Sequence, residues 1–525
     1  MADLKVNTNI YANLAQSAYT SRPNRFPYNQ LKPSDKKKID AGKSVKIDYG
    51  KPVGKVYLQP DPTIKTIKEQ PAFPLVNAPA TINSYQKGLL TDEKAGYNSY
   101  FVTDTPKLSE QTKNTYFVTR GSDGIGPDTL NDWWDNNAQF TLNDTYIPQA
   151  QLATKAMHTK ISEMNKQAPN AKMSVTGHSL GTMVSIQAVA NLPAGDIDKI
   201  ERVVLFQGPD ARESIAQMSQ QAQENIKKLE AAGKIDYYVN PFDLVSMLNR
   251  NQKGVDEIGN VHFLLPKSYT TTFDMAAKNG SSHDFGQYQI NSDGTIQVAN
   301  VKEHPELFVA AQELSTFIDR TLNQLERVLV PGSVTVVAVL AAISSGGTNV
   351  IADIVAVAGG ALTYSQAKKI YEDYLAIIEK AQAASERNQK VKRLQEKIQA
   401  SSGSQKLRLQ EDLVREVAAQ AAAFGSDYQT IVETIVTEAE DEIDEIVREV
   451  ETAARSLQHY LSDAELAALI ADFKKEALWD AAQATAIATQ TQAYQQKLTK
   501  ISQELEQAAT KMKNADERVA KLFQE

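Results

Sequence analysis

The chain has no cysteine, which removes disulfides, thiolate metal sites and cysteine nucleophiles. Proline is confined to one part of it: none of the 19 prolines lies beyond Pro331. Glycine thins out over the same stretch, with only Gly403 and Gly425 after Gly360. A segment without proline, poor in glycine and rich in Ala, Glu, Gln and Lys is what long helices require. Excess positive charge is missing too. A net charge of -8 disfavours nucleic acid as a partner, and keeps the chain off anionic membrane surfaces except through a local basic patch. The opening residues Met1-Ala2-Asp3-Leu4-Lys5-Val6-Asn7 lack the basic and apolar regions of a signal peptide, so an exported form must use a route that reads something else.

A length of 525 residues accommodates two to four domains. The first 320 residues read as α/β. A short amphipathic helix is predicted over 11–19, and a hairpin around Gly50-Lys51-Pro52 pairs Val45/Ile47/Tyr49 with Val53/Val56/Leu58. Strands are expected at 97–103, 115–119, 202–206 and 235–239, with a helix over 213–232. Such alternation predicts a right-handed, doubly wound sheet. Residues 60–90, rich in proline and polar side chains, are predicted to form a long excursion and are a candidate lid. Residues 321–365 form a connector. Its apolar stretches 334–343 and 350–362 flank Ser344-Ser345-Gly346-Gly347-Thr348-Asn349, and each is shorter than the roughly 20 residues needed to cross a bilayer. A helical hairpin follows, open to three readings: packed on the rest, grooved for partner helices, or inserted into a target membrane.

Residues 366–525 read as an all-α, elongated helical domain. Ile370, Tyr371, Tyr374, Leu375 and Ile378 recur at three and four, as do Val432, Ile435, Val436, Ala439, Ile443, Ile446, Val447 and Val450, each set drawing one apolar stripe. Ser462-Asp463-Ala464-Glu465 has the form of a capping box. Gly403 and Gly425 are expected helix breaks, and the acidic run 438–445 a solvated face.

The stretch that carries chemistry is Gly177-His178-Ser179-Leu180-Gly181. It has the form G-x-S-x-G between a β-rich run (Met173, Val175, Thr176) and helically spaced apolar residues (Met183, Val184, Ile186), the setting of a nucleophile elbow. Glycines at 177 and 181 give the sharp turn room. Ser179 then stands at a helix N-terminus, where the dipole and a free N–H favour an oxyanion.

A serine nucleophile needs an imidazole to take its proton and a carboxylate to orient that imidazole. Three histidines of the α/β part follow Ser179. His262 reads as a strand residue and His304 as a helix start. His283 lies in the loop Asn279-Gly280-Ser281-Ser282-His283, where such bases are placed. For the acid, Asp243 lies in a turn just past the strand 235–239, with Asp210 as its competitor. Leu180 supplies one oxyanion-hole N–H, and Ser122, after the strand ending at Thr119, is the expected second donor. No metal or cofactor is called for.

Arg120-Gly121-Ser122, Asp132-Trp133-Trp134-Asp135, the elbow, Asp243 and His283 together resemble the class 3 lipase family over about residues 1–300. The resemblance implies an α/β-hydrolase fold, the triad Ser179, Asp243 and His283, the oxyanion hole of Ser122 and Leu180, and metal-free hydrolysis of lipid carboxylic esters. The whole chain is similar in architecture to type VII-secreted lipase toxins of Gram-positive bacteria, with the LXG arrangement reversed so that the helical targeting domain comes last. That similarity implies phospholipase action on a competitor's membrane, small helical helper proteins on the C-terminal domain, recognition by the secretion machinery, and a cognate immunity protein.

Overall fold

The computed structural model describes residues 4–522 apart from 5–6, 21, 23, 70–82, 122–146, 251–255, 275, 329–338, 341, 347–348 and 457–459. Ser122 and the 132–135 motif therefore lie outside the described residues. The chain divides into two compact units, Met1–Gln382 and Ala383–Glu525.

The first unit is built on one sheet. Strands β1 (Val45–Asp48), β2 (Lys55–Leu58), β3 (Lys65–Glu69), β4 (Asn83–Lys87), β5 (Thr91–Asp92) and β6 (Tyr97–Thr103) pair antiparallel along the order β6-β5-β4-β3, with the β1–β2 hairpin joined to β6. From β7 (Asn114–Thr119) onward the sheet is parallel through β8 (Lys172–His178), β9 (Ile200–Phe206), β10 (Ile235–Val239) and β11 (Asn260–Phe263). Phe117, Val175, Val203 and Ile235 stand level across four strands and are all fully buried. Such near-continuous apolar strands are expected where both faces are covered.

Strand side chains alternate between those faces. Val203 and Leu205 enter the main core with Met157 and Ile161 of α3 (Pro148–Gln167), Met183 and Val184 of α4 (Leu180–Ala190), and Ile226 and Leu229 of α6 (Gln220–Ala231). Val204 and Phe206 point the other way, against Ala12 and Ala15 of α1 (Ile10–Ser17). The doubly wound expectation is corrected here. The parallel strands lie side by side in chain order, so crossovers of one hand all fall on one face, and the N-terminal helix covers the opposite face.

Three other expectations change. The excursion at 60–90 contains the β3–β4 pair, whose register runs from Lys65↔Lys87 to Glu69↔Asn83. The helix expected at 213–232 is two, α5 (Arg212–Ala216) and α6, because Ser219 caps the second through its hydroxyl and the Ala222 N–H. Gly425 breaks nothing: it lies inside a helix, where a Cβ would come within 3.2 Å of Leu498 Cβ.

Beyond the sheet the first unit continues through α8 (Pro305–Val328), a turn of helix around Leu340, α9 (Val350–Val357) and the start of α10 (Tyr364–Ala400). Leu314, Phe317, Val339, Ile343, Val350, Ile354, Leu362 and Tyr374 all belong to the main core. The described apolar residues of the 321–365 segment thus include several packed on the α/β body. No helix among the described residues is long and apolar enough to cross a membrane.

The second unit is helical. A helix over Gly403–Arg455 pairs with one over Ala481–Leu522. Arg415 meets Glu506 at 2.6 Å, Gly425 abuts Leu498 and Tyr428 meets Tyr494, so the two run antiparallel. At 1.5 Å per residue the first of them is about 80 Å long. Ser462 and Glu465 form the expected capping box.

Candidate active site

Ser179 follows β8 with φ 58° and ψ −132°, a conformation costing a residue with a Cβ about 1–3 kcal/mol. The glycines around it make the turn possible. A Cβ on Gly177 would strike the Gly181 carbonyl, and one on Gly181 would sit 2.5 Å from the Thr119 carbonyl oxygen. The turn after β7 presses on the same point: a Cβ on Gly121 would lie 2.5 Å from the His178 carbonyl oxygen and 3.1 Å from Ser179 Cβ. Leu180 opens α4, so its N–H is a first-turn donor with no intrahelical acceptor. Ser122, its expected companion, is among the residues not described.

Asp243 leaves β10 through a turn and caps the short helix α7 (Leu244–Met247). Its carboxylate accepts from Val245 N at 3.1 Å, Ser246 N at 3.3 Å and Ser246 Oγ at 2.5 Å. The remaining bond is to His283 Nδ1, 2.8 Å from Asp243 Oδ2, with the carboxylate fully buried. A carboxylate on Nδ1 fixes the tautomer and leaves Nε2 to exchange a proton. Ser179 Oγ makes no hydrogen bond among the described residues. Contacts of this type often tighten only when substrate binds.

The competing groups are engaged elsewhere. Asp210 accepts from the N–H groups of Arg212 and Ile258 and faces Arg250 at 3.8 Å; burial pushes its carboxyl pKa up. His262 pairs with Asp236 at 3.0 Å, and His304 with Glu306 at 3.2 Å. His283 is the one of the three bonded to Asp243.

Two residues to which the sequence assigns no role, one of them a filler of the elbow motif, pack beside the site. His178, the first x of the elbow, is buried; Tyr19 Oη lies 2.9 Å from its Nδ1, and its Nε2 is 3.2 Å from both Gln207 Oε1 and the His283 carbonyl oxygen. Gln207, itself at φ 50°, also accepts from Tyr288 Oη and donates to the Ser282 carbonyl. Two carbonyl acceptors at Nε2 hold a proton there, and in the neutral ring Nδ1 accepts from Tyr19. Only side-chain contacts, invisible in the sequence, mark these residues.

Burial, followed by the nearby His283, drives the His178 pKa well below its ordinary value. The unfolded chain therefore binds a proton that the folded chain refuses. This component of stability falls as pH drops below about 6.5, by up to about 1.4 kcal/mol per pH unit, until the folded pKa is reached. Urea midpoints at pH 7.5 and 5.5 should differ by less in His178→Gln than in wild type.

Beside His283, Asp284 receives the guanidinium of Arg22 at 2.9 Å, the two side chains being 3% and 0% exposed. Breaking a buried pair by removing one partner costs about 3–5 kcal/mol. Arg22→Met should lower the unfolding free energy by that amount, read from urea titration, and adding Asp284→Asn should recover part of it.

The site thus sets a strained, helix-backed serine at a turn crowded by the loop after β7, in the same unit as an imidazole oriented by a buried carboxylate. No curated protein matches the chain. The family found is not the class 3 lipase family that the sequence resembles. Residues 135–241, which carry β8, the elbow, β9 and β10, match the family model described as Cutinase, a family of serine carboxylic-ester hydrolases of the lipase/esterase kind on the α/β-hydrolase fold, so the first unit contains a cutinase-like hydrolase region.

Proposed function

We propose that the first unit hydrolyses carboxylic esters of lipids through Ser179, His283 and Asp243. The observation that carries this is the 2.8 Å contact between His283 and a fully buried Asp243, in the same unit as an elbow serine held at positive φ. His283 takes the Ser179 proton as Oγ attacks the ester carbonyl. The oxyanion rests on the N–H of Leu180 and a donor at Ser122. His283 then protonates the departing alcohol and activates the water that releases the fatty acid. The test is product analysis on defined phospholipids and triacylglycerols, wild type against Ser179→Ala. Fatty acid release that persists at the wild-type rate in the variant overturns the assignment.

The second part of the proposal is that the chain is an antibacterial toxin, secreted by the type VII route without a cleavable signal, whose C-terminal helices take small helical helper proteins and whose lipase is neutralised by an immunity protein. Supporting it, Leu407, Phe424, Ile435, Ile446, Leu469 and Ile501 of the helical unit are exposed apolar side chains, of the kind partner helices cover. Co-expression of the full chain with candidate small helical proteins should yield a stoichiometric complex that Ile435→Glu with Ile446→Glu disrupts while ester hydrolysis continues. Failure of every candidate to bind favours an ordinary extracellular esterase with a helical tail.

A further inference from the structure

We propose that Tyr374, on α10 and outside the matched hydrolase region, is a positioning residue that locks together the two loops carrying Asp243 and His283. The inference rests on the catalytic reading given above. Tyr374 is fully buried, its ring stacked on Phe317 with centroids 5.8 Å apart. Its hydroxyl accepts from the Thr272 N–H at 3.0 Å, lies 3.1 Å from Thr272 Oγ1 and donates to the Phe242 carbonyl at 3.3 Å.

Each of those partners abuts a catalytic candidate. Phe242 immediately precedes Asp243, and its carbonyl also receives the Ser282 hydroxyl at 3.0 Å, from the residue before His283. Thr272 Oγ1 accepts from Leu244 N at 2.8 Å, the residue after Asp243. The Thr272 carbonyl accepts the backbone N–H of His283 at 3.3 Å. One phenol therefore ties the backbone on both sides of the carboxylate to the backbone of the imidazole. Burial raises its pKa further above an already high value, so the hydroxyl keeps its proton and can donate and accept at once.

Filling the space would need only a ring, which phenylalanine supplies. The hydroxyl adds registration between the loops. In Tyr374→Phe the Thr272 N–H loses this acceptor, while the Phe242 carbonyl keeps the Ser282 hydroxyl. The expected result is looser Asp243–His283 geometry with packing retained. Since a misplacement of about 1 Å can cost about 100-fold in rate, a partial loosening is expected to lower kcat about 10-fold.

The experiment measures kcat and KM of the full chain on one soluble ester for wild type, Tyr374→Phe, Thr272→Ser, Thr272→Val, the Tyr374→Phe/Thr272→Val double variant and Ser179→Ala. The proposal expects kcat down about 10-fold in Tyr374→Phe with KM within about twofold. Thr272→Ser, which keeps the hydroxyl, stays near wild type. Thr272→Val falls with Tyr374→Phe, and the double variant loses less than the product of the singles. A kcat within about twofold of wild type in Tyr374→Phe, an effect on KM alone, or an equal loss in Thr272→Ser overturns it. If Tyr374→Phe does not fold, equal activity of the Thr272→Ser and Thr272→Val proteins overturns it, and a loss confined to valine supports it. Undiminished activity in Ser179→Ala would sink the parent catalytic reading instead, a result distinct from any of these.

Discussion

Replacing Ser179 with alanine is expected to lower kcat for ester hydrolysis by about a million-fold and to abolish labelling by a fluorophosphonate, with the urea midpoint nearly unchanged. The nucleophile contributes the bond that forms; oriented acid, base and oxyanion donors around it then have nothing to act on. Stability should hold because alanine fills almost the same volume and the serine Oγ has no hydrogen bond to lose among the described residues. Glycine should behave differently. At φ 58° and ψ −132° residue 179 carries strain of about 1–3 kcal/mol, which glycine relieves, against about 0.4–1 kcal/mol of extra chain entropy in the unfolded state. Ser179→Gly is therefore expected to be as inactive as Ser179→Ala yet more stable by roughly 1 kcal/mol. Equal midpoints for the two would mean that the elbow stores no strain at this residue.

What the sequence discloses follows from the range of the forces involved. The elbow is local: strand, two glycines, serine and helix lie within about twenty residues, and each has a steric reason to be there. Chain order and loop placement point to Asp243 and His283, whose side chains the fold brings to 2.8 Å of each other across forty positions. The β3–β4 pair was hidden because Lys65–Glu69 and Asn83–Lys87 each hold a single apolar or aromatic residue, Ile67 and Tyr85, too few to show an alternation. Gly425 reads as a breaker by propensity, yet here it admits a neighbouring helix. The one-directional winding of the parallel strands depends on which strands become neighbours, and a succession of strands and helices is compatible with more than one order. The roles of His178, Gln207 and Tyr374 were hidden for a different reason: the elbow contains the first and an apolar stripe the last, but what they do rests on contacts across 29 to 159 positions, which no motif or period encodes.

Asp243 carries the second large effect. Asp243→Ala is expected to lower kcat by about 10⁴, measured with the same ester, and to reduce stability by about 0.5–2 kcal/mol because α7 loses its cap. Asp243→Asn should fall between alanine and wild type in both respects, for a reason visible in the donors around the carboxylate. Oδ2 faces three of them, Ser246 N, Ser246 Oγ and His283 Nδ1, whereas Oδ1 faces Val245 N. An amide will turn its oxygen toward the three and set its NH₂ against the one. His283 then keeps its proton on Nδ1, and the tautomer needed for a base at Nε2 survives. What is lost is the negative charge that stabilises the imidazolium formed during attack. If Asp243→Asn proves no more active than Asp243→Ala, that charge, rather than the orientation of the ring, is the whole of what Asp243 contributes.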